Sequence, residues 1–178
     1  QKVKLRLALK SAVIAKSIAR WVDYQDKEVA FFSALLSDLP VQVLSINDPE
    51  AQERIDEKVT KGMSEKEAEI VVRGFDHTEF GAKLFKYYSM PSPIVDLVQN
   101  DFKADRVKPK NEQLAKIVNF SKCLAACFSD RTQTPSSIWL ESQKSITSLG
   151  LNLSSEEWGN KISLMFVKAI EFEMSVTN

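Results

Sequence analysis

The sequence predicts an all-α protein, a compact bundle of about eight helices joined by short loops. Apolar residues recur at intervals of three and four along most of the chain, which is the period of an amphipathic helix. Residues 64–67, 76–79 and 154–157 each carry the pattern of an N-terminal capping box. Only residues 41–46 alternate like a strand, and no partner strand is visible, so we predict a short helical turn or an extended connector there.

The first two helices are predicted over residues 3–22 and 26–38, the second with Asp26 as its N-cap. Leu39-Pro40 is expected to end or kink the second helix. The basic residues of the first helix lie outside its broad apolar face. We interpret them as a solvated face, or as one that covers a missing N-terminal part. Binding of an anion, a nucleic acid or a membrane surface is the alternative.

The middle of the chain carries the clearest helix starts. Asp48-Pro49 begins a charged surface helix that runs to about residue 61. Ser64 caps the next helix, and Asp76 caps another that runs through residue 88. Gly81 within it costs about 1 kcal/mol relative to Ala, so we expect another helix to approach closely there. A break at residues 90–93 then starts a helix to about residue 101.

The last third continues the same pattern. A loop over residues 102–110 contains no glycine, so we interpret its basic residues as solvated rather than as a phosphate-binding loop. A long helix follows over about residues 111–128. Thr134 is predicted to cap a helix through residue 149, and Ser154 is predicted to cap the last helix.

The composition fits an ordinary folded domain. Of 178 residues, 44% are hydrophobic, so a sizeable core can be buried. The 24 basic and 24 acidic residues balance, which gives no argument for nucleic acid as a partner. No apolar run approaches the roughly 18–20 residues that a membrane span needs. Cys123 and Cys127 lie four residues apart on one predicted helix, a spacing that does not suit a disulfide. We expect them to be small buried apolar residues in a reducing cytosol; a redox or metal pair is the alternative.

The sequence offers little for catalysis. A hydrolytic metal site needs at least three or four converging ligands, and the chain has a single histidine, His77. His77 follows the cap Asp76 at a predicted helix N-terminus, where the helix dipole should lower the basicity of the imidazole. We expect a neutral histidine with one structural hydrogen bond rather than a metal ligand. A nucleophilic pair of this histidine with Cys123 or Cys127 has no local activating signature.

Two segments carry a family pattern. Residues 77–82 read His-Thr-Glu-Phe-Gly-Ala, and residues 88–91, Tyr-Ser-Met-Pro, form a break before an apolar helix. Residues 34–40, Ala-Leu-Leu-Ser-Asp-Leu-Pro, resemble a Leu-Leu-His-Asp-Ile-Gly motif. In order and spacing these segments resemble the HDOD domain family, the regulatory relatives of the HD superfamily of metal-dependent phosphohydrolases. The resemblance covers roughly residues 5–130 and implies an HD-like helical bundle.

The resemblance also implies that most of the metal ligands are lost. Ser37 stands where the family pattern has its histidine, and Lys10 and Asn119 stand where active relatives carry a histidine and the last aspartate. The ligand-capable side chains that remain are Asp38, His77 and Asp101. We therefore predict no catalytic residues, no bound metal and no cofactor, and we interpret these three as remnants of a metal site.

We expect a single HD-like domain over residues 1–178, the C-terminal part of a longer chain, because Gln1 opens directly into a helical pattern. The expected function is that of a non-catalytic regulatory or signal-transduction module of a bacterial, cytoplasmic protein, which acts through a protein partner or a small ligand. Homo-oligomerisation, or packing against a missing N-terminal lobe, is possible; nucleic acid is not an expected partner. The alternative is a metal-dependent phosphohydrolase with a reduced site built from Asp38, His77 and Asp101.

Overall fold

A computed structural model describes residues 2–129 and 135–177, and the regular structure within those ranges is helical, without a strand. The α-helices in chain order are α1 (Lys2–Trp21), α2 (Lys27–Leu35), α3 (Leu39–Asn47), α4 (Pro49–Thr60), α5 (Glu65–Arg73), α6 (His77–Tyr87), α7 (Ser92–Gln99), α8 (Glu112–Ser129), α9 (Pro135–Ser148) and α10 (Ser155–Thr177). A 3₁₀ turn at Pro109–Asn111 precedes α8. The all-α prediction is confirmed.

Most of the predicted caps form. Asp26 and Asp48 each accept a hydrogen bond from the amide three residues on, and the boxes that begin at Ser64 and Ser154 close in both directions. Asp76 accepts from two amides of α6, but the Glu79 carboxylate pairs with Lys83 at 2.7 Å. The predicted box at residues 76–79 is therefore a simple N-cap. The predicted cap Thr134 lies outside the described residues.

The stretch that we predicted to be a short turn or connector is the helix α3. The second helix ends at Leu35 rather than residue 38, and the chain turns before α3 begins at Leu39. Pro40 stands in the first turn of α3, where its missing N–H would have no partner in the helix. The proline that we expected to end one helix therefore begins the next.

The segment Lys27–Asn47 is long and apolar enough to cross a membrane by length and composition, contrary to the sequence expectation. A core segment of a protein without membrane contact passes the same test. Here the segment is divided into α2 and α3 by the turn at residues 36–38. Ala30, Ala34 and Leu44 from it are buried in the protein. One such segment is weak grounds for a membrane span.

The core is built around α1, which packs against α2, α8 and α10. The side chains of α1 that face these helices are nearly all small or β-branched, which permits close packing; the fully buried ones are Ala12, Ile14, Ala15, Ile18 and Ala19. Trp158 of α10 connects three helices, with its ring centroid 5.9 Å from Phe120 of α8 and 6.5 Å from Trp21 of α1. These contacts hold α1, α8 and α10 together.

Three basic residues of α1 pair with acids of neighbouring helices. Arg6 Nε and Lys10 Nζ lie 3.4 and 3.1 Å from the Glu173 carboxylate of α10. Lys16 pairs with Glu28 of α2. Because Arg6, Lys10 and Lys16 already face acids of the same chain, these three cations give no support to a role of α1 in binding anions or nucleic acid.

Gly81 confirms the expected close approach. A Cβ at this position would lie 2.5 Å from Pro40 Cγ and 2.6 Å from Val98 Cγ1. The α6 backbone is therefore pressed against α3 on one side and α7 on the other. This packing brings the start of α6 and the end of α7 to the same place, where the candidate site lies.

Candidate functional site

A cleft of about 410 Å³ opens where the α2–α3 turn, the start of α6, the end of α7 and the middle of α8 meet. We call it the central cleft; its polar lining includes Ser37, Asp38, His77, Asp101, Asn119 and Lys122. The three ligand-capable residues identified in the sequence, Asp38, His77 and Asp101, thus line one cleft although they are distant in the chain. Lys10, which stands where active relatives carry a histidine, is not among the residues that line the cleft and pairs with Glu173 of α10.

Glu69, a buried residue of α5, binds His77 from its interior side. One carboxylate oxygen, Glu69 Oε2, accepts hydrogen bonds from the His77 backbone N–H at 2.9 Å and from Nδ1 at 2.7 Å. Glu69 is only 1% exposed. These bonds fix both the first turn of α6 and the orientation of the imidazole, with Nε2 directed towards Asp101.

Glu69 is the residue that the sequence analysis missed. The apolar Val71 of α5 is 60% exposed, whereas the acidic Glu69 takes the interior position beside Ala68. In this position the Glu69 carboxylate contacts His77 and lies near Arg73, one turn further along α5. The only feature of the sequence that could have indicated a buried Glu69 is that it directly follows Ala68, an apolar residue of α5.

Asp101 lies on the far side of the imidazole, with Oδ1 3.6 Å from His77 Nε2. Its other oxygen, Oδ2, lies 3.4 Å from Lys66 Nζ and 3.3 Å from Lys103 Nζ. Burial raises the pKa of Asp101, but the charge of Lys66, a hydrogen bond from Lys103 and the charge of His77 outweigh it and lower the pKa overall. Asp101 is therefore an anion that two lysines already neutralise.

Asn119, the nearest counterpart of the last family aspartate, has a structural role. Asp101 and Phe102 both have φ = +56°, in the left-handed region that non-glycine residues seldom adopt. Asn119 Nδ2 donates to the Phe102 carbonyl at 2.8 Å and so holds this turn against α8. The amide stabilises the strained backbone that presents Asp101 to the cleft.

Asp38 faces a lysine. Lys122 Nζ, from the turn of α8 that follows Asn119, lies 2.7 Å from Asp38 Oδ1 and 5.7 Å from the centroid of the Phe102 ring. The Ser37 hydroxyl, at the position of the family histidine, donates to the Ala34 carbonyl at 3.0 Å. Asp38, the aspartate that the family pattern retains, therefore forms an ion pair with Lys122 within the cleft.

The side chains of the central cleft do not fit a divalent metal ion. A metal site needs several lone pairs that converge on one point, with no cation beside them. Here Asp38 faces Lys122, while Asp101 faces Lys66 and Lys103. Across residues 2–129 and 135–177, no three His, Cys, Asp or Glu side chains form a group that could hold a metal.

His77 is more basic than the sequence predicted. Burial lowers its pKa, but the hydrogen bond to Glu69 and the charges of Glu69, Asp101 and Glu65 outweigh burial and raise the pKa overall. We expected the helix dipole to lower the basicity. That expectation was wrong because acids brought together by the tertiary fold surround the ring.

Protonation of His77 should therefore stabilise the fold. The pKa is raised above its unfolded value of 6.5, so this stabilisation is complete below about pH 6.5 and is lost as the pH rises through the folded pKa. The difference in free energy of unfolding between wild type and His77→Gln should shrink over that range. Because the chain has one histidine, an NMR titration of its imidazole measures the folded pKa directly. A value at or below 6.5 would contradict the prediction.

The cysteines are free thiols. Cys127 is buried as expected, but Cys123 is exposed. Burial, together with the neighbouring Cys123 and Glu141, raises the pKa of the Cys127 thiol to about 12. Such a thiol is protonated at neutral pH and is not a nucleophile.

Comparison with known proteins agrees with the helical fold. The HDOD domain family matches residues 4–103, more than half of the chain. No curated protein matches. The crystal structure of "Putative phosphohydrolase from Shewanella amazonensis SB2B" superposes with a TM-score of 0.73 and 18% sequence identity, covering 97% of this chain and 63% of that one. The chain thus spans less than two thirds of that protein, and the likeness shows a shared fold.

Proposed function

The chain belongs to the HDOD family, and on this premise we propose that it is a non-catalytic regulatory module that acts through a protein partner or a small ligand. One observation carries the proposal: the Lys122 ammonium lies 2.7 Å from Asp38, the carboxylate that the family pattern retains. A divalent cation bound by Asp38 would lie beside this positive charge, and like charges at such short range repel. The lysine neutralises the carboxylate in place of a metal.

The setting that we propose is a cytoplasmic signalling protein of bacterial type, with residues 1–178 as one HD-like domain. A module without catalysis transmits a signal through its surface or through occupancy of a cleft. The surface offers exposed apolar side chains for such contacts on α5 and at the end of α6: Ile70, Val71, Tyr87 and Tyr88. These supply apolar area that a protein partner can bury.

Metal content and turnover test the proposal. We expect the purified protein to hold no stoichiometric Mn, Fe or Zn and to hydrolyse neither cyclic dinucleotides nor nucleotides. Removal of the ammonium in Lys122→Gln should strengthen Mn²⁺ binding by about tenfold or more, because one positive charge near Asp38 disappears. The matched control is Lys116→Gln on the same helix, which pairs with Glu112 outside the cleft.

Two outcomes oppose the proposal. Stoichiometric metal in the wild type, with turnover that His77→Ala abolishes, would establish an enzyme. Equal Mn²⁺ affinity in Lys122→Gln, Lys116→Gln and the wild type would show that Lys122 does not control access of a cation to the cleft.

The second candidate is a metal-dependent phosphohydrolase with a reduced site. It is favoured by the placement of Asp38, His77 and Asp101 in one cleft, with His77 Nε2 3.6 Å from Asp101 Oδ1. The protein of similar fold from Shewanella amazonensis carries the description "Putative phosphohydrolase". For this candidate Lys122 would have to leave Asp38 before a cation could bind, so the same turnover assay decides between the two.

A further inference from the structure

A second cavity, of about 380 Å³, lies between α3, α4 and α5 and shares no lining residue with the central cleft. We call it the arginine cavity; its lining includes Leu44, Ala51, Arg54, Val72, Arg73 and Phe75. Its volume is at the lower end of the range for small-molecule sites. It therefore has room for a compact organic molecule.

Arg73 is the unusual group in this cavity. Its side chain is only 4% exposed, yet Nε and Nη1 have no hydrogen-bond partner. Nη2 donates to Gln52 Oε1 at 3.3 Å. The nearest acid is Glu69, whose Oε1 lies 3.9 Å from Nη1, beyond hydrogen-bond distance. Its other oxygen is occupied by His77.

Buried charged donors without an acceptor are costly, and native proteins seldom leave them so. The guanidinium is always charged, so it cannot escape the cost by losing a proton. Nε and Nη1 are closed to solvent as the side chain stands, so an acceptor from outside the chain would remove the cost once the guanidinium turns into the cavity that Arg73 lines. A carboxylate suits a guanidinium best, because it accepts two parallel N–H bonds.

The rest of the lining narrows the ligand class. Arg54 adds a second cation, whereas Asp48 and Glu50 at the start of α4 add two acids. The acids disfavour a doubly charged phosphate more than a singly charged carboxylate. Leu44, Val72 and Phe75 offer an apolar wall. We propose that the arginine cavity binds a small monocarboxylate with an apolar body, such as an aryl or branched-chain acid, with its carboxylate on Arg73.

This site is independent of the ion pair in the central cleft, so each proposal can fail alone. The test is isothermal titration calorimetry of the folded full chain with phenylacetate and 3-methylbutanoate as probes. Phenylacetamide, which lacks the charge, and inorganic phosphate are the comparison compounds. We expect saturable one-to-one binding of a carboxylate, no binding of the amide and weaker binding of phosphate. Failure of both carboxylates to bind, or equal or tighter binding of the amide or phosphate, overturns the proposal.

Substitutions of single arginines test whether the carboxylate binds in the arginine cavity. Arg73→Gln should weaken carboxylate affinity by about tenfold or more, the effect of losing a charged hydrogen bond. Because Arg73 is buried and this variant can fail to fold, Arg54→Glu provides a second test at an exposed position. It reverses the charge in the lining and should also weaken binding. Arg20→Glu, on exposed α1 surface outside the cavity, should bind as the wild type does.

Each variant can contradict the assignment. Wild-type affinity in a folded Arg73→Gln, or in Arg54→Glu, would place the ligand elsewhere. An equal loss in Arg20→Glu would show general attraction to positive charge rather than a site. Circular dichroism of each variant establishes that it is folded before its affinity is compared.

Discussion

Replacement of Glu69 by alanine is expected to lower the free energy of unfolding by about 3–5 kcal/mol, the range for breaking a buried ionic network. The carboxylate is 1% exposed and accepts from both the backbone N–H and Nδ1 of His77. Without it, the first turn of α6 loses an acceptor and the buried Arg73 loses its nearest anion. The loss is large because the groups left behind are buried and cannot turn to water.

Urea denaturation at neutral pH, followed by circular dichroism, measures this loss. Glu57→Ala, at an exposed position of α4, is the control and should change stability by no more than about 0.5 kcal/mol. Glu69→Gln should fall between the two, because its amide oxygen still accepts from His77 but carries no charge. If Glu69→Ala and Glu57→Ala are equally stable, Glu69 does not hold the site together.

Gly81→Ala is expected to destabilise the protein by about 1–3 kcal/mol, as overpacking does in a tight core. The new methyl group would lie 2.5 Å from Pro40 Cγ and 2.6 Å from Val98 Cγ1. The proline ring cannot rotate away, so α3 or α7 must shift. This strain outweighs the gain of about 1 kcal/mol that alanine brings to a helix.

Gly159→Ala is the matched control, because it makes the same change within α10, where a Cβ meets nothing within 4 Å. It should stabilise the protein by up to about 1 kcal/mol, so the two substitutions should have opposite signs. Thermal and urea denaturation of both variants give the comparison. A stabilised Gly81→Ala would mean that α3 and α7 do not press on α6 as described.

Helix starts were predictable because their hydrogen bonds are local. Ser64 and Glu67 bond to each other across three residues, so the pattern alone specifies the contact. The cap of α6 at Asp76 was found in the same way, although Glu79 turned to Lys83. The start of α3 was missed, because a proline after a predicted helix indicates an end and a beginning equally well.

The partners within the central cleft were not predictable, because they come from distant parts of the chain. Lys122 and Asp38 are 84 residues apart, and nothing in either local sequence marks them as a pair. Glu69 and His77 are 8 residues apart but on different helices, and their contact depends on how α5 is rotated. The basicity of His77 followed from these acids and not from its place at a helix start.

The sequence by itself determined the all-α class, most helix starts, the close approach at Gly81 and the family to which the chain belongs. These depend on apolar periodicity, on capping bonds within a few residues and on motifs read in order. Only the tertiary structure decided that Asp38, His77 and Asp101 share one cleft, that lysines neutralise its two aspartates, and that Arg73 is buried with unpaired donors. Charges act through space, and packing rather than chain order sets which charges meet.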